Sequence, residues 1–179
     1  MDIVKYMSYG LLIGVPVAVT FCEKIGCPAA VSGPSMRPTL NPVISTRKSY
    51  RDDIVWVSKL HWNRNGARPG DVIAFISPIN SLDRMVKRII AVEREIVLNH
   101  KRQQVLISDG HLWVEGENSQ RSSDCNSFGP VRIICKGLVI GTVTHVIWPP
   151  HRMQKIEHNL SSKQCNRRLH NEFDDKPYL

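Results

Sequence analysis

Three segments of this chain carry residue types that could do covalent chemistry. The first is GPSMRPTL, Gly33 to Leu40. Ser35 lies in a Gly/Pro-rich turn there, which presents a hydroxyl instead of packing it. A serine hydroxyl is a poor nucleophile unless a base stands beside it. The second is MVKRIIAV, Met85 to Val92. An extended strand points Lys87 and Arg88 to opposite faces. A lysine in apolar surroundings loses hydration of its ammonium, which favours the neutral amine. A neutral amine can take a proton from a serine. The third is GENSQRSSDCNSFGPV, Gly116 to Val131, a polar loop with Asn118, Ser122 and Asp124. Short polar side chains of this kind can orient a lysine and hold nearby backbone. Each segment alone also has an ordinary reading: a turn, a strand with two solvated cations, a surface loop.

The elements that must position these residues read mainly as strands. Ile54–Leu60, Asp71–Ser77, Met85–Leu98, Gln103–Ser108, His111–Gly116 and Gly137–Trp148 are rich in Val, Ile and aromatics. They are bounded by Gly, Pro, Asp and Asn. Long helical periodicity is absent beyond residue 24. The expected fold class is therefore mainly β, as a barrel or folded sheets. With 179 residues the chain holds one ordinary domain, not two full ones. We divide it into an N-terminal anchor at 1–24, a β-rich domain at 25–157 and a polar extension at 158–179. The extension lacks strand or helix patterning and reads as loosely ordered.

The N-terminal run from Tyr6 to Cys22 is 17 residues without a charge. That is at the low edge for a membrane span. Gly10, Gly14 and Pro16 would weaken a soluble helix but are tolerated in a spanning one. We read the run as a retained anchor. A cleaved signal peptide, or a buried soluble helix, also fits the composition. Lys5 on one side and Glu23 with Lys24 on the other do not fix an orientation.

The formal charge is +8, which suits nucleic acid, an anionic membrane surface or an acidic partner. Residues Ile44–Arg102 carry 12 of the 24 basic residues and only 6 acids. No aromatic platform interleaves with them, so a solvated surface is favoured over a nucleic-acid face. Five cysteines without a CxxC pair argue against a zinc ribbon or thioredoxin-like site. No HExxH or Cys/His cluster points to a metal, and no cofactor is expected. Cys22 and Cys27 are close enough in sequence to be considered as a disulfide.

Taken together, the three blocks resemble one family. Ser-Met-x-Pro-Thr-Leu after an N-terminal anchor, Lys-Arg-Ile-Ile in a strand, Gly-Glu-Asn, Ser-x-Asp and Phe-Gly-x-Val in that order are similar to the type I signal peptidases. Asn41-Pro42 after the serine block, DGHLWVEGEN at Asp109–Asn118 and THVIWPP at Thr144–Pro150 narrow the likeness to enzymes of the mitochondrial inner membrane. The resemblance covers about residues 1 to 157.

It implies a signal-peptidase-like antiparallel β fold with one N-terminal transmembrane helix. It implies a membrane-anchored serine/lysine endopeptidase that removes sorting segments, with Ser35 as nucleophile and Lys87 as general base. By the same resemblance Ser122 hydrogen-bonds the lysine, Asp124 and Arg88 form a supporting ion pair, and Met36 helps shape substrate pockets. The backbone N–H of Ser35 would donate to the oxyanion. Some bacterial members add a side-chain hydroxyl two residues earlier, where this chain has Gly33. Partners implied are precursor proteins, a second protease subunit and inner-membrane lipid. The domain would face the intermembrane space after a single pass. A catalytically silent stabilising subunit is the alternative. A soluble self-cleaving repressor-type protease fits less well, given the hydrophobic start and no helix-turn-helix ahead of Ser35. Departures are Glu117 for the usual Asp, Cys125 for Ser, Asn126 for Arg, and Arg94-Glu95 where relatives carry Gly-Asp.

Overall fold

The computed structural model describes residues 2–42, 52–98, 102–118, 133–166 and 168–169. Helix α1 spans Asp2–Lys24 with Pro16 inside it. Strands follow in chain order: β1 Gly26–Val31, β2 Asp53–Ser58, β3 Val72–Ile76, β4 Arg84–Ala91, β5 Ile96–Leu98 and β6 Gln104–Leu106. Then come β7 His111–Glu115, β8 Ile133–Cys135, β9 Val139–Trp148, β10 Gln154–Lys155 and β11 Arg168–Leu169. The main sheet has eight strands in the order β1-β2-β9-β3-β4-β7-β8, with β10 also on β9. A second sheet of three strands runs β11-β5-β6. Every pairing is antiparallel. The mainly β, antiparallel expectation is met.

Register shifts interrupt the β2–β9, β3–β9 and β4–β7 pairings. Such bulges add local twist and curl a sheet. The curl lets one core lie on each side. One cluster joins Val31, Met36, Leu40, Val55, Val57, Val72, Val143, Val146 and Ile156. Another joins Ile73, Phe75, Ile89, Leu112, Val114 and Ile134. Strand alternation explains the division: Val72 and Ala74 serve the first cluster, Ile73 and Phe75 the second.

One expectation is corrected at the helices. The sequence run Ile54–Leu60 ends as a strand at Ser58, and helix α2 follows at Lys59–Asn65. Ser58 is its N-cap, with Oγ accepting from His61 N at 3.1 Å. Seven residues are too few to show a helical period. At the N-terminus, α1 is a 23-residue helix in which every residue from Gly10 to Lys24 is exposed. Yet among the described residues no helix is long and apolar enough to cross a membrane.

Among the described residues of the extension, Leu160 packs on the Ile90–Trp113 cluster and Arg168 pairs with Glu95. These are isolated anchors, so they leave no periodic signal. Cys22, Cys27, Cys135 and Cys165 are free, and the Cys22–Cys27 disulfide considered from the sequence is not formed. Cys125 lies outside the described residues.

Candidate active site

The loop that carries Ser35 begins where β1 ends. Gly33 has φ +95, a region that side-chain-bearing residues rarely adopt, which accounts for glycine there. Pro34 then starts a turn in which Arg37 N donates to Pro34 O at 3.2 Å. Leu40 N donates to Met36 O at 2.8 Å, and Met36 and Leu40 both drive into the core at 1% exposure. Ser35 remains half-buried beside them. Packing therefore fixes the loop on both sides of the serine.

A second set of contacts ties this loop to β7. Asn118 N donates to Ser35 O at 3.1 Å, and Asn118 Nδ2 donates to Pro34 O at 3.3 Å. Glu117 Oε2 accepts from Thr39 N at 3.4 Å. The other oxygen, Glu117 Oε1, accepts from Arg88 Nε at 3.0 Å and Arg88 Nη2 at 2.5 Å. Arg88 Nη1 donates to Gly70 O and to Glu157 O. A buried guanidinium making four such hydrogen bonds is a rigid post, because its fork geometry is fixed. Gly70 permits this approach: a Cβ there would lie 2.2 Å from His158 O.

Lys87 sits on β4 opposite Ile73 of β3 and is buried at 5% exposure. Alternation puts Lys87 and Arg88 on opposite faces, as the sequence predicts. Its neighbour Val86 packs against the cluster that holds Met36 and Leu40. The fold thus brings the serine loop to the Val86 and Arg88 face of β4, and alternation turns the Lys87 side chain to the other face, the one that Ile73 serves. Ser122 and Asp124 lie outside the described residues. Arg88 was expected to pair with Asp124; the partner the structure describes is Glu117. The strand register accounts for that pairing. Arg88 lies opposite Glu115 in the β4–β7 register, and residue 117 falls on the same side as residue 115.

A cavity of about 500 Å³ adjoins the loop, with walls from Pro38, Thr39, Arg88, Glu117, Ile156 and Leu160. Neither Ser35 nor Lys87 lines it. Behind Arg88, His158 Nδ1 lies 2.6 Å from Asp71 Oδ1. Among the described residues no group of three or more His, Cys, Asp or Glu could hold a metal ion.

Comparison with known proteins settles the family. Residues 3–98 match the family described as signal peptidase, peptidase S26. The chain belongs to the peptidase S26 signal peptidase family. It is 41% identical over 165 residues to mitochondrial inner membrane protease subunit 2 of Mus musculus, covering 90% of this chain and 89% of that one. The Schizosaccharomyces pombe subunit 2 is 33% identical over 153 residues, covering 83% and 79%. Subunit 1 of the same mouse protease is 31% identical over 132 residues, covering 71% and 72%. The resemblance to the mitochondrial inner-membrane branch is thus upheld, and this S26 chain has relatives of both subunit names.

Proposed function

We propose that this chain is a serine endopeptidase of the mitochondrial inner membrane that cuts sorting segments from precursor proteins. The observation that carries the reading is the attachment of the serine loop to the Lys87-bearing strand. Val86 packs with the Met36/Leu40 cluster, while Arg88 holds Glu117, which holds Thr39. Val86 and Arg88, the residues on either side of Lys87, therefore hold the Ser35 loop to β4.

In this mechanism neutral Lys87 takes the Ser35 proton as Oγ attacks the scissile carbonyl carbon. The carbonyl oxygen becomes an oxyanion, stabilised by preorganised donors that include the Ser35 N–H. Protonated Lys87 gives its proton to the leaving amine, and the acyl-enzyme forms. Water, deprotonated by the same lysine, then releases the acid product and regenerates Ser35. The polar loop supplies Ser122 to orient the lysine and Asp124 as a further partner of Arg88, both carried over from the family pattern. Met36 supports the serine loop from the core, and small residues are favoured before the cut.

The same reading makes α1 the anchor. Twenty-three residues at about 1.5 Å each span roughly 35 Å, against a hydrocarbon core of ~30 Å. Leu11, Leu12, Ile13, Val15, Val17 and Val19 are each more than half exposed, and Phe21 rests against Trp56. The relatives' names support the inner membrane and a subunit 1-like partner; to these the reading adds one pass with the β domain in the intermembrane space. The test is cleavage of an intermembrane-space precursor by the membrane-embedded chain with its partner subunit, beside Ser35→Ala and Lys87→Ala. Loss in both variants, with the chain still in the membrane, supports the dyad. Undiminished cleavage in both assigns the chemistry to the partner.

A further inference from the structure

Two sequence features have no role in the chemistry above: Asn41-Pro42 after the serine block, and the segment that follows THVIWPP. They meet in the fold. Arg152 stands two residues beyond Pro150, in a single turn closed by Arg152 N donating to Pro149 O at 2.9 Å. Its Nη1 donates to Asp53 Oδ2 at 2.5 Å and its Nη2 to Thr39 O at 3.1 Å. Asp53 Oδ2 also accepts from Asn41 N at 2.7 Å, and Asp53 N donates to Asn41 Oδ1 at 2.8 Å. Asn41 Nδ2 reaches back to Val31 O at 2.5 Å. Arg37 Nε closes the ring by donating to Asn41 O at 2.7 Å.

We propose that Asp53, Asn41 and Arg152 are positioning residues that clasp the exit of the serine loop and so set the place of Ser35. The proposal rests on the serine/lysine reading above. Entry to the loop, at Val31, and its exit, at Asn41, are joined by one amide side chain. Residues 31 to 41 are thereby closed into a ring about Ser35. Asn41 has φ +51, and asparagine tolerates that left-handed conformation better than most side chains. Asp53 is buried at the first position of β2, so the clasp is fixed to the sheet and not to another loop. A buried carboxylate needs its partners, and here each partner is a piece of the loop or the arginine that also holds the loop. Arg152 is the one member that comes from the C-terminal side of the domain. It grips the Thr39 carbonyl, while Glu117 takes the Thr39 N–H. The two sides of one peptide-bearing residue are thus held from opposite directions. Displacement of a reacting group by about 1 Å can cost about a hundredfold in rate, so such a clasp acts on turnover more than on binding.

The experiment compares the full chain, reconstituted in liposomes with its partner subunit, as wild type, Arg152→Ala, Arg152→Lys and Asp53→Asn. Hydrogen exchange of the amides at 34–41 is read against those of β3 and β4, which report folding. Cleavage of a precursor peptide gives kcat and KM. Arg152→Ala is expected to speed exchange at 34–41 by about tenfold or more, with β3 and β4 unchanged. The same variant should lower kcat by about thirtyfold or more, with KM within about twofold. Arg152→Lys retains a charge for Asp53 but lacks the second arm to Thr39, and recovers part of kcat. Unchanged exchange at 34–41 in Arg152→Ala and Asp53→Asn overturns the clasp. Faster exchange with wild-type kcat overturns its role in catalysis. Ser35→Ala, run in parallel, separates the two ideas: if that variant still cleaves, the serine/lysine reading falls while the exchange data still judge the clasp.

Discussion

Charged residues do different work at two places in this molecule. Around the serine loop, Arg88–Glu117 has side-chain exposures of 5% and 12%, and each group has several partners. At the corner between β4 and β5, Arg94–Asp109 has 74% and 70%. Lys136–Glu93 beside it is about one-third exposed. Exposed pairs contribute little to stability, because water solvates the charges nearly as well. Buried pairs are costly to assemble but strongly destabilising to break, since a lone charge remains inside. The loop that carries the candidate nucleophile is therefore held by groups that cannot let go cheaply. The corner is held by groups that can.

The comparison can be broken most directly at the chemistry. Ser35→Ala and Lys87→Ala should each lower kcat by about a thousandfold or more in a precursor-cleavage assay, with melting changed little. Next in size is Glu117→Ala. It leaves the Arg88 guanidinium buried without its carboxylate and frees the Thr39 N–H. A loss of about 3–5 kcal/mol is expected, read as a Tm fall of about 10 °C together with lost cleavage. Met36→Ala tests packing instead of charge. Deleting that core side chain should cost about 2–5 kcal/mol, measured by denaturant unfolding.

The corner should respond far less. Lys136 holds Glu93 below the ordinary carboxylate value of 4.5 by a side-chain hydrogen bond, helped by the Gly110 N–H. Arg94 holds Asp109 below its ordinary 3.8 in the same way. Groups lowered on folding contribute stability that is present above their unfolded values and is lost as pH falls through the folded ones. Titration of Tm should therefore place Lys136→Ala slightly below wild type at pH 7, with a shallower acid decline, the two curves converging as pH falls below about 4.5. Smallest is Arg94→Gly. Arg94 sits at φ +65, where an L side chain is strained and glycine is not. Relief of roughly 1 kcal/mol is set against greater freedom in the unfolded chain. Tm should hold or rise slightly, and cleavage should not change.

Much of this arrangement was legible before any coordinates. Ser35 and Lys87 stood out because their blocks are contiguous, and contiguous blocks survive as patterns. The long strands β3, β4, β7 and β9 stood out because apolar, β-branched runs mark them. Glu117 as the partner of Arg88 was not legible, because that pairing depends on the β4–β7 register across 29 residues. Asp53 and Arg152 were missed for the same reason, at a separation of 99 residues. Strand β1, with Cys27, Pro28, Ala29 and Ala30, reads as a small-residue region after an anchor. It is a strand because β2 offers it an edge. The N-terminal helix was foreseen as an element.

Strand β9 has one more consequence. It lies between β2 and β3, and it is the last long strand to be made. Until residues 139–152 are delivered, the β1–β2 hairpin and the β3–β4–β7–β8 block have no strand to join them. The serine loop belongs to the first piece and Lys87 to the second. A partly synthesised chain thus carries the candidate nucleophile and the candidate base on pieces of sheet that no strand yet joins. In the proposed mechanism the order of strands works as a safety catch, because the sheet that fixes serine and lysine closes only when the chain is nearly finished.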